Sequence, residues 1–388
     1  MHDSIVYTIF LIFTGSAVVA TLALFARQAM IVGYILLGSL FGPHALGLVE
    51  DPALIGQMSH IGIIFLLFLL GLDLPPGKLM AMLRETVTVT GLSALAFFLP
   101  AAGILYLAGL KPMEVLIGAM AFTFSSTIIG LKLLPTTVLH HRRTGEIIIS
   151  ILLFQDVLAI VLLLAVETAG GAMPGTGRLL LPALALPGVL LASLLLARHG
   201  VVPLLARFDT IQEYVFLLTI GWCLGIAELA GVLGLSQEIG AFLAGVALAN
   251  SPIAQYIAES LKPLRDFFLV LFFFAMGAGF DPRTLGVVWV PALALALLAL
   301  VLKPRVFRRL LERAGEDPGR SAEIGVRLGQ ISEFALLIAV FAQANGVIGA
   351  PASALIQAAT LLTFIASGYW VVMRYPTPVA VNERLRRN

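Results

Sequence analysis

The sequence predicts an all-α polytopic membrane protein of about thirteen transmembrane helices built as an inverted-topology repeat. Three observations predict it. Of the 388 residues 60% are hydrophobic and only 12% charged, with a mean hydropathy of +1.02. The apolar residues fall in runs of membrane-spanning length, and the chain matches itself at a near-constant offset. Soluble domains carry about 25% charged residues, so a bilayer is the medium that accommodates this composition.

A hydrocarbon core of about 30 Å needs roughly 20 apolar residues per helix. Breaking the runs at charged or Gly/Pro clusters predicts helices near 4–26, 29–42, 53–72, 79–108, 113–134, 145–167 and 179–197. Six more follow near 211–230, 236–250, 261–279, 284–303, 321–343 and 351–373. The whole chain, 1–388, reads as a single transport domain: a first repeat over about 1–168, a linking helix at 179–197, a second repeat over about 209–374 and a basic cytoplasmic tail at 375–388. The first run lacks a basic leader and a small-residue cleavage site, so it reads as a retained helix. One cysteine, Cys223, excludes an internal disulfide framework and any multi-cysteine metal site.

Orientation follows from basic residues. With the N-terminus outside and the C-terminus cytoplasmic, 21 of the 24 Lys and Arg residues lie inside, and only Lys111, Arg178 and Arg283 lie outside. The expected location is the cell inner (plasma) membrane, and a net charge of +2 distributed in this way offers no nucleic-acid footprint. The Arg142-Arg143 pair and the Lys303 to Arg320 run read as topology determinants.

A shift of 207 matches Gly33 with Gly240, Gly38 with Gly245, Gly118 with Gly325 and Ser125 with Ser332. A shift of 206 matches Phe68 with Phe274, Gly71 with Gly277 and Pro76 with Pro282. Equivalent helices are seven apart, so helices 8–13 repeat helices 1–6 upside down. Repeats of this kind place substrate at mid-membrane, on broken helices.

Asp156 is central in the sixth predicted span, eleven residues from Gly145 and from Glu167. At 1.5 Å per residue the nearer interface is about 15 Å away, beyond the reach of an aspartate. A carboxylate stranded there costs several kcal/mol and marks a pathway by default; the competing reading is a protonated aspartate that glues two helices. Such a group holds either a proton or a dehydrated monovalent cation, which makes it suited to exchanging one for the other. Gln155 offers a carbonyl oxygen beside it, or an interhelical hydrogen bond.

Two polar interruptions stand at matching depth. Thr123, Ser125, Ser126 and Thr127 cluster in the fifth span, and Gln330, Ser332 and Glu333 interrupt the twelfth. Two crossing discontinuous helices would present backbone carbonyls as ligands and bring partial charges of helix ends into hydrocarbon. Glu333 would offset the positive ends and Lys303 the negative ones. The alternatives are hydroxyls bonded back to their own helix, an ion pair of Glu333 with Arg327, and Lys303 as a snorkelling anchor at the inner end of its helix. Glu228 reads as lining an outer vestibule or as an interfacial acid, and His60 as a packing or interfacial histidine. Asp73 and Asp281 read as turn caps. No Walker loop, GxGxxG or HExxH is present, so neither ATP drive nor zinc hydrolysis has support. The residues therefore point to a non-enzymatic transporter with no bound cofactor, whose ligands are a monovalent cation and a proton and whose solvent is the lipid bilayer. A sodium-coupled organic-anion symporter of similar architecture and a cation channel or sensor are the rival classes.

On these residues the chain resembles the Kef-type branch of the monovalent cation:proton antiporters. The resemblance rests on SSTIIGLKLLP from Ser125, ILLFQDVLAI from Ile151, IGAFLAGVALANS from Ile239, LFFFAMGAGFDP from Leu271 and GQISEFALL from Gly329. It implies a sodium/proton antiporter-like fold, a thirteen-helix homodimer, a mobile core of helices 3–6 and 10–13 moving as an elevator against a dimer scaffold, and potassium ahead of sodium. The Gln155-Asp156 pair is its most specific element. Two departures stand out: Glu238 replaces a small or apolar residue before the IGAFLAG segment, and Ile331-Ser332 replaces glycines before Glu333-Phe334. The nucleotide-binding region that often follows in Kef proteins lies outside these 388 residues, so the resemblance implies no nucleotide gating.

Overall fold

The computed structural model describes residues 5–26, 28, 30–49, 52–72, 76–132, 143–170, 177–233, 235 and 237–377. Arg27, Asp73, Pro75, Arg142 and the tail from 378 fall outside the described residues. Sixteen α-helical segments lie among them. In chain order they are α1 (Ile5–Phe25), α2 (Met30–Phe41), α3 (Pro52–Leu72), α4 (Pro76–Leu107), α5 (Pro112–Thr123), α6 (Thr127–Lys132), α7 (Arg143–Gly170) and α8 (Gly177–Leu196). After a π-helical turn at Ala197–Val201 come α9 (Val202–Arg207), α10 (Gln212–Val232), α11 (Gln237–Leu248) and α12 (Ala254–Ala278). The chain continues with α13 (Pro282–Arg313), α14 (Pro318–Arg327), α15 (Glu333–Ala344) and α16 (Ala350–Arg374).

Local chemistry explains the boundaries. Helices α3, α4, α5, α13 and α14 open on proline, whose fixed φ suits the first turn and whose missing N–H costs nothing there. Asp281 caps α13 by accepting from the Arg283 N–H at 2.9 Å. Seven helical stretches among the described residues are long and apolar enough to cross a membrane. The chain is thus a polytopic helical membrane protein.

The structure changes the expected boundaries where it matters most. The predicted span 113–134 is two helices, α5 and α6, separated by Phe124–Ser126, and 321–343 is α14 and α15, separated by Leu328–Ser332. The predicted helix 284–303 continues to Arg313. Hydropathy stops at the first charge, whereas the backbone stays helical through Pro304 and on through the Arg- and Leu-containing turns that follow.

The chain forms two compact units. One holds residues 1–49, 82–170 and 276–388; the other holds 50–81 and 171–275. In the second, α3 packs directly on α11: a Cβ added at Gly71 would run into the Phe242 carbonyl, and one at Gly245 into the Phe68 carbonyl. In the first, a Cβ at Gly277 would strike the Ile35 carbonyl of α2. Helices this close have backbone against backbone. Helix 3 therefore groups with helices 7 to 9 and most of helix 10, a partition different from the core of helices 3–6 and 10–13 that the resemblance implies.

Candidate functional site

The first unit brings the two helix breaks together. At the first, Phe124 leaves α5 in extended conformation (φ −77, ψ 148), and the Ser126 hydroxyl accepts the Ile129 N–H at 3.1 Å to start α6. At the second, Ser332 (φ −81, ψ 152) caps α15 by accepting the Phe334 N–H at 3.1 Å. The Ser125 hydroxyl donates to the Leu328 carbonyl at 2.9 Å, and Gln330 Nε2 lies 3.4 Å from the Ser126 carbonyl. Each break thus satisfies backbone groups of the other, which is how interrupted helices survive away from water.

Lys303 lies where these carbonyls converge. It is fully buried, and its Nζ donates to Phe124 O at 2.6 Å and Gln330 O at 3.1 Å, with Thr123 O and Ser125 Oγ both 3.5 Å away. The reading of Lys303 as a snorkelling anchor is overturned, because α13 continues ten residues past it to Arg313. Its ammonium faces the last carbonyls of α5, where a helix carries partial negative charge. The Phe97 and Phe122 rings flank it, each centroid 5.4 Å from Nζ. Glu333 stands in the first turn of α15, at the positive end of that helix.

Asp156 is 1% exposed on α7. Thr127 Oγ1, on the first residue of α6, is 3.1 Å from its Oδ1 and 3.0 Å from its Oδ2. Gln155, one residue earlier, reaches the break itself: its Oε1 accepts the Ser125 N–H at 2.9 Å. That contact braces the extended segment against α7 and occupies the amide oxygen with backbone.

The other predicted residues divide by what they touch. The Thr123 hydroxyl donates back to Met120 O at 2.7 Å within its own helix. The Ser125 and Ser126 hydroxyls stitch the breaks, and of this cluster only Thr127 has its hydroxyl on the Asp156 carboxylate. Arg327 is buried, bonded to Glu323 at 2.9 Å and to Pro376 O at 2.8 Å. The Asp156 carboxylate and the Thr127 hydroxyl are thus adjacent oxygens on α7 and α6.

Sequence reading missed Thr363 and Ser367 on α16. Thr363 Oγ1 accepts the Ile331 N–H at 3.1 Å, and the Ser367 hydroxyl donates to Gln330 Oε1 at 3.0 Å. The repeat offset carries the signal, since Thr363 stands 207 residues after Asp156 and braces the second break as Gln155 braces the first.

Comparison with known proteins decides the family. The family model described as "Sodium/hydrogen exchanger, transmembrane" matches residues 10–373. The chain belongs to that family. Its curated relatives of the Kef type include the glutathione-regulated potassium-efflux system protein KefC of Cronobacter sakazakii, 30% identical over 94% of this chain and 59% of KefC. K(+) efflux antiporter 6 of Arabidopsis thaliana is 29% identical over 81% of this chain and 54% of that protein. The iron transporter MagA of Paramagnetospirillum magneticum is 29% identical over 89% of this chain and 80% of MagA. The chain therefore spans little more than half the length of the potassium-efflux relatives. In fold it is similar to the sodium proton antiporter MjNhaP1 from Methanocaldococcus jannaschii, with a TM-score of 0.69, 16% identity, and coverage of 94% of this chain and 95% of that one. By family the chain thus groups with the Kef-type monovalent cation:proton antiporters.

Proposed function

We propose that this exchanger moves potassium against protons by presenting Asp156 to each side of the plasma membrane in turn. The observation that carries the reading is the Asp156 carboxylate, buried at the meeting of two helix breaks with the Thr127 hydroxyl on both its oxygens. A buried carboxylate must be neutralised by a proton or by a bound cation, and one group accepts one of them at a time. Gln155, Ser125, Ser126, Ser332 and Gln330 hold the breaks open, while Lys303 and Glu333 offset the charges of their ends. Potassium is favoured because KefC and the Arabidopsis relatives bear that cation in their names.

The inverted repeat is the architecture that suits this cycle. Gly71 and Gly277 are 206 apart, and the carbonyls they abut, Phe242 and Ile35, are 207 apart in the opposite order. That reciprocity supports a pseudo-two-fold relation, with helix 3 on helix 9 and the end of helix 10 on helix 2. In this reading seven long helices, the two broken pairs and α2, α3, α11 and α12 would each cross, giving thirteen crossings. The N-out, C-in topology follows from the basic residues. In a homodimer, the moving body would be helices 4–6 and 11–13, because backbone contact at Gly71, Gly245 and Gly277 leaves no play for helix 3 or the end of helix 10 to slide.

The test is a cation series. Proteoliposomes loaded with a pH dye and pulsed with potassium, sodium or lithium should show proton movement that is largest for potassium. Proton movement equal in choline, or larger in sodium, would overturn the assignment of the substrate.

A further inference from the structure

The second unit contains a titratable group that the exchange site does not use. His60 of α3 is half-buried, and each of its ring nitrogens faces an oxygen. Nδ1 is 3.1 Å from Glu238 Oε1, and Nε2 is 2.9 Å from Gln237 Oε1, both on the first turn of α11. The amide of Gln237 has its orientation fixed by a third helix, because its Nε2 donates to Glu228 Oε2 of α10 at 2.6 Å. With the amide nitrogen committed to a carboxylate, the amide oxygen is the atom left for His60.

That arrangement selects a protonation state. A neutral imidazole has one donor and one acceptor, so one of its nitrogens would face an oxygen lone pair to lone pair. Only the imidazolium donates to both. Glu238 is buried at 6% exposure with His60 Nδ1 at 3.1 Å, so its charge is compensated by the proton that His60 holds. Among the described residues, the groups facing His60 include Glu238 and Gln237 from α11 and, through Gln237, Glu228 from α10. From α12, α3 meets Phe268, which stacks on Phe65 at 5.0 Å and abuts Gly62.

We propose that His60, held by Glu238 and the Glu228-oriented Gln237, is a second proton-binding site, separate in residues from Asp156, whose occupancy sets the pH range of exchange. The regulatory half rests on the antiport reading; the proton site does not. The joint it controls is the contact of α3 with α11, the same pair fitted backbone to backbone at Gly71 and Gly245. With the proton bound, a charge-assisted pair ties the polar end of that joint. Without it, a carboxylate is left buried against a neutral ring.

Two measurements test this on purified protein, using His60→Gln and, should that variant not fold, Glu238→Gln. Thermal stability read from about pH 6 to about pH 9, the range that histidine titration covers, should show wild type more stable than the variant at the acidic end and the gap closing as pH rises. A gap that stays constant overturns the proton site. Exchange in proteoliposomes should show the variant's pH–rate profile displaced by about half a pH unit or more. Superimposable profiles overturn the regulatory role, even where the stability gap closes. Absence of exchange in wild type would count against the antiport reading while leaving the stability experiment decisive for the proton site.

Discussion

Thr127 and Asp156 meet across a helix break, the threonine hydroxyl 3.0 and 3.1 Å from the two carboxylate oxygens. This contact places a neutral oxygen beside the buried charge at the point where the chain stops being a helix. It is also the contact most easily removed without changing shape.

Thr127→Val keeps volume and removes the hydroxyl. A hydrogen bond to a charged group contributes about 1.5–3 kcal/mol, roughly tenfold or more in an equilibrium. The apparent KM for the cation should rise by about tenfold, and Thr127→Ser should restore it. Equal KM in wild type and the valine variant would remove Thr127 from the site.

Lys303→Met leaves Phe124 O and Gln330 O without their buried donor. Each unsatisfied carbonyl costs about 1–3 kcal/mol, so thermal unfolding in detergent should begin at clearly lower temperature. A methionine variant as stable as wild type would show that the ammonium does not hold the breaks together.

Gln155→Leu strands the Ser125 N–H, at a similar cost, whereas Gln155→Glu keeps an acceptor for it. The leucine variant should lose stability and the glutamate variant retain it, both read by fluorescence-detected melting. The reverse order would contradict the bracing role.

Gly245→Ala forces a methyl group into the Phe68 carbonyl, while Gly221→Ala on α10 meets open space. Overpacking costs about 1–3 kcal/mol or more where backbone cannot yield. Expression of folded protein should fall for the first and not for the second; two equally folded variants would overturn the close fit of α3 on α11.

The spans, the two interruptions and Asp156 were legible because hydropathy and depth are one-dimensional properties of the chain. Where the breaks fall was visible in Ser126 and Ser332, whose hydroxyls accept local backbone N–H groups at the starts of α6 and α15. What escaped was set by contacts at long range. Lys303 looked interfacial because a charge ends an apolar run, yet α13 continues past it to Arg313, and its carbonyl partners stand 27 to 180 residues away in sequence. Gln155 read as a ligand beside Asp156 or as an interhelical hydrogen bond, and the fold places its oxygen on the Ser125 N–H. His60 gave no signal alone, since its meaning lies in oxygens of α11 nearly 180 residues later.

The central claim is that a single buried carboxylate takes a proton or a cation by turns, and Asp156→Asn addresses it most directly because it removes the charge and keeps the shape. Cation-driven proton movement should vanish in proteoliposomes containing the asparagine variant, while its elution on size exclusion and its melting remain those of a folded protein. Undiminished exchange by that variant would contradict the account.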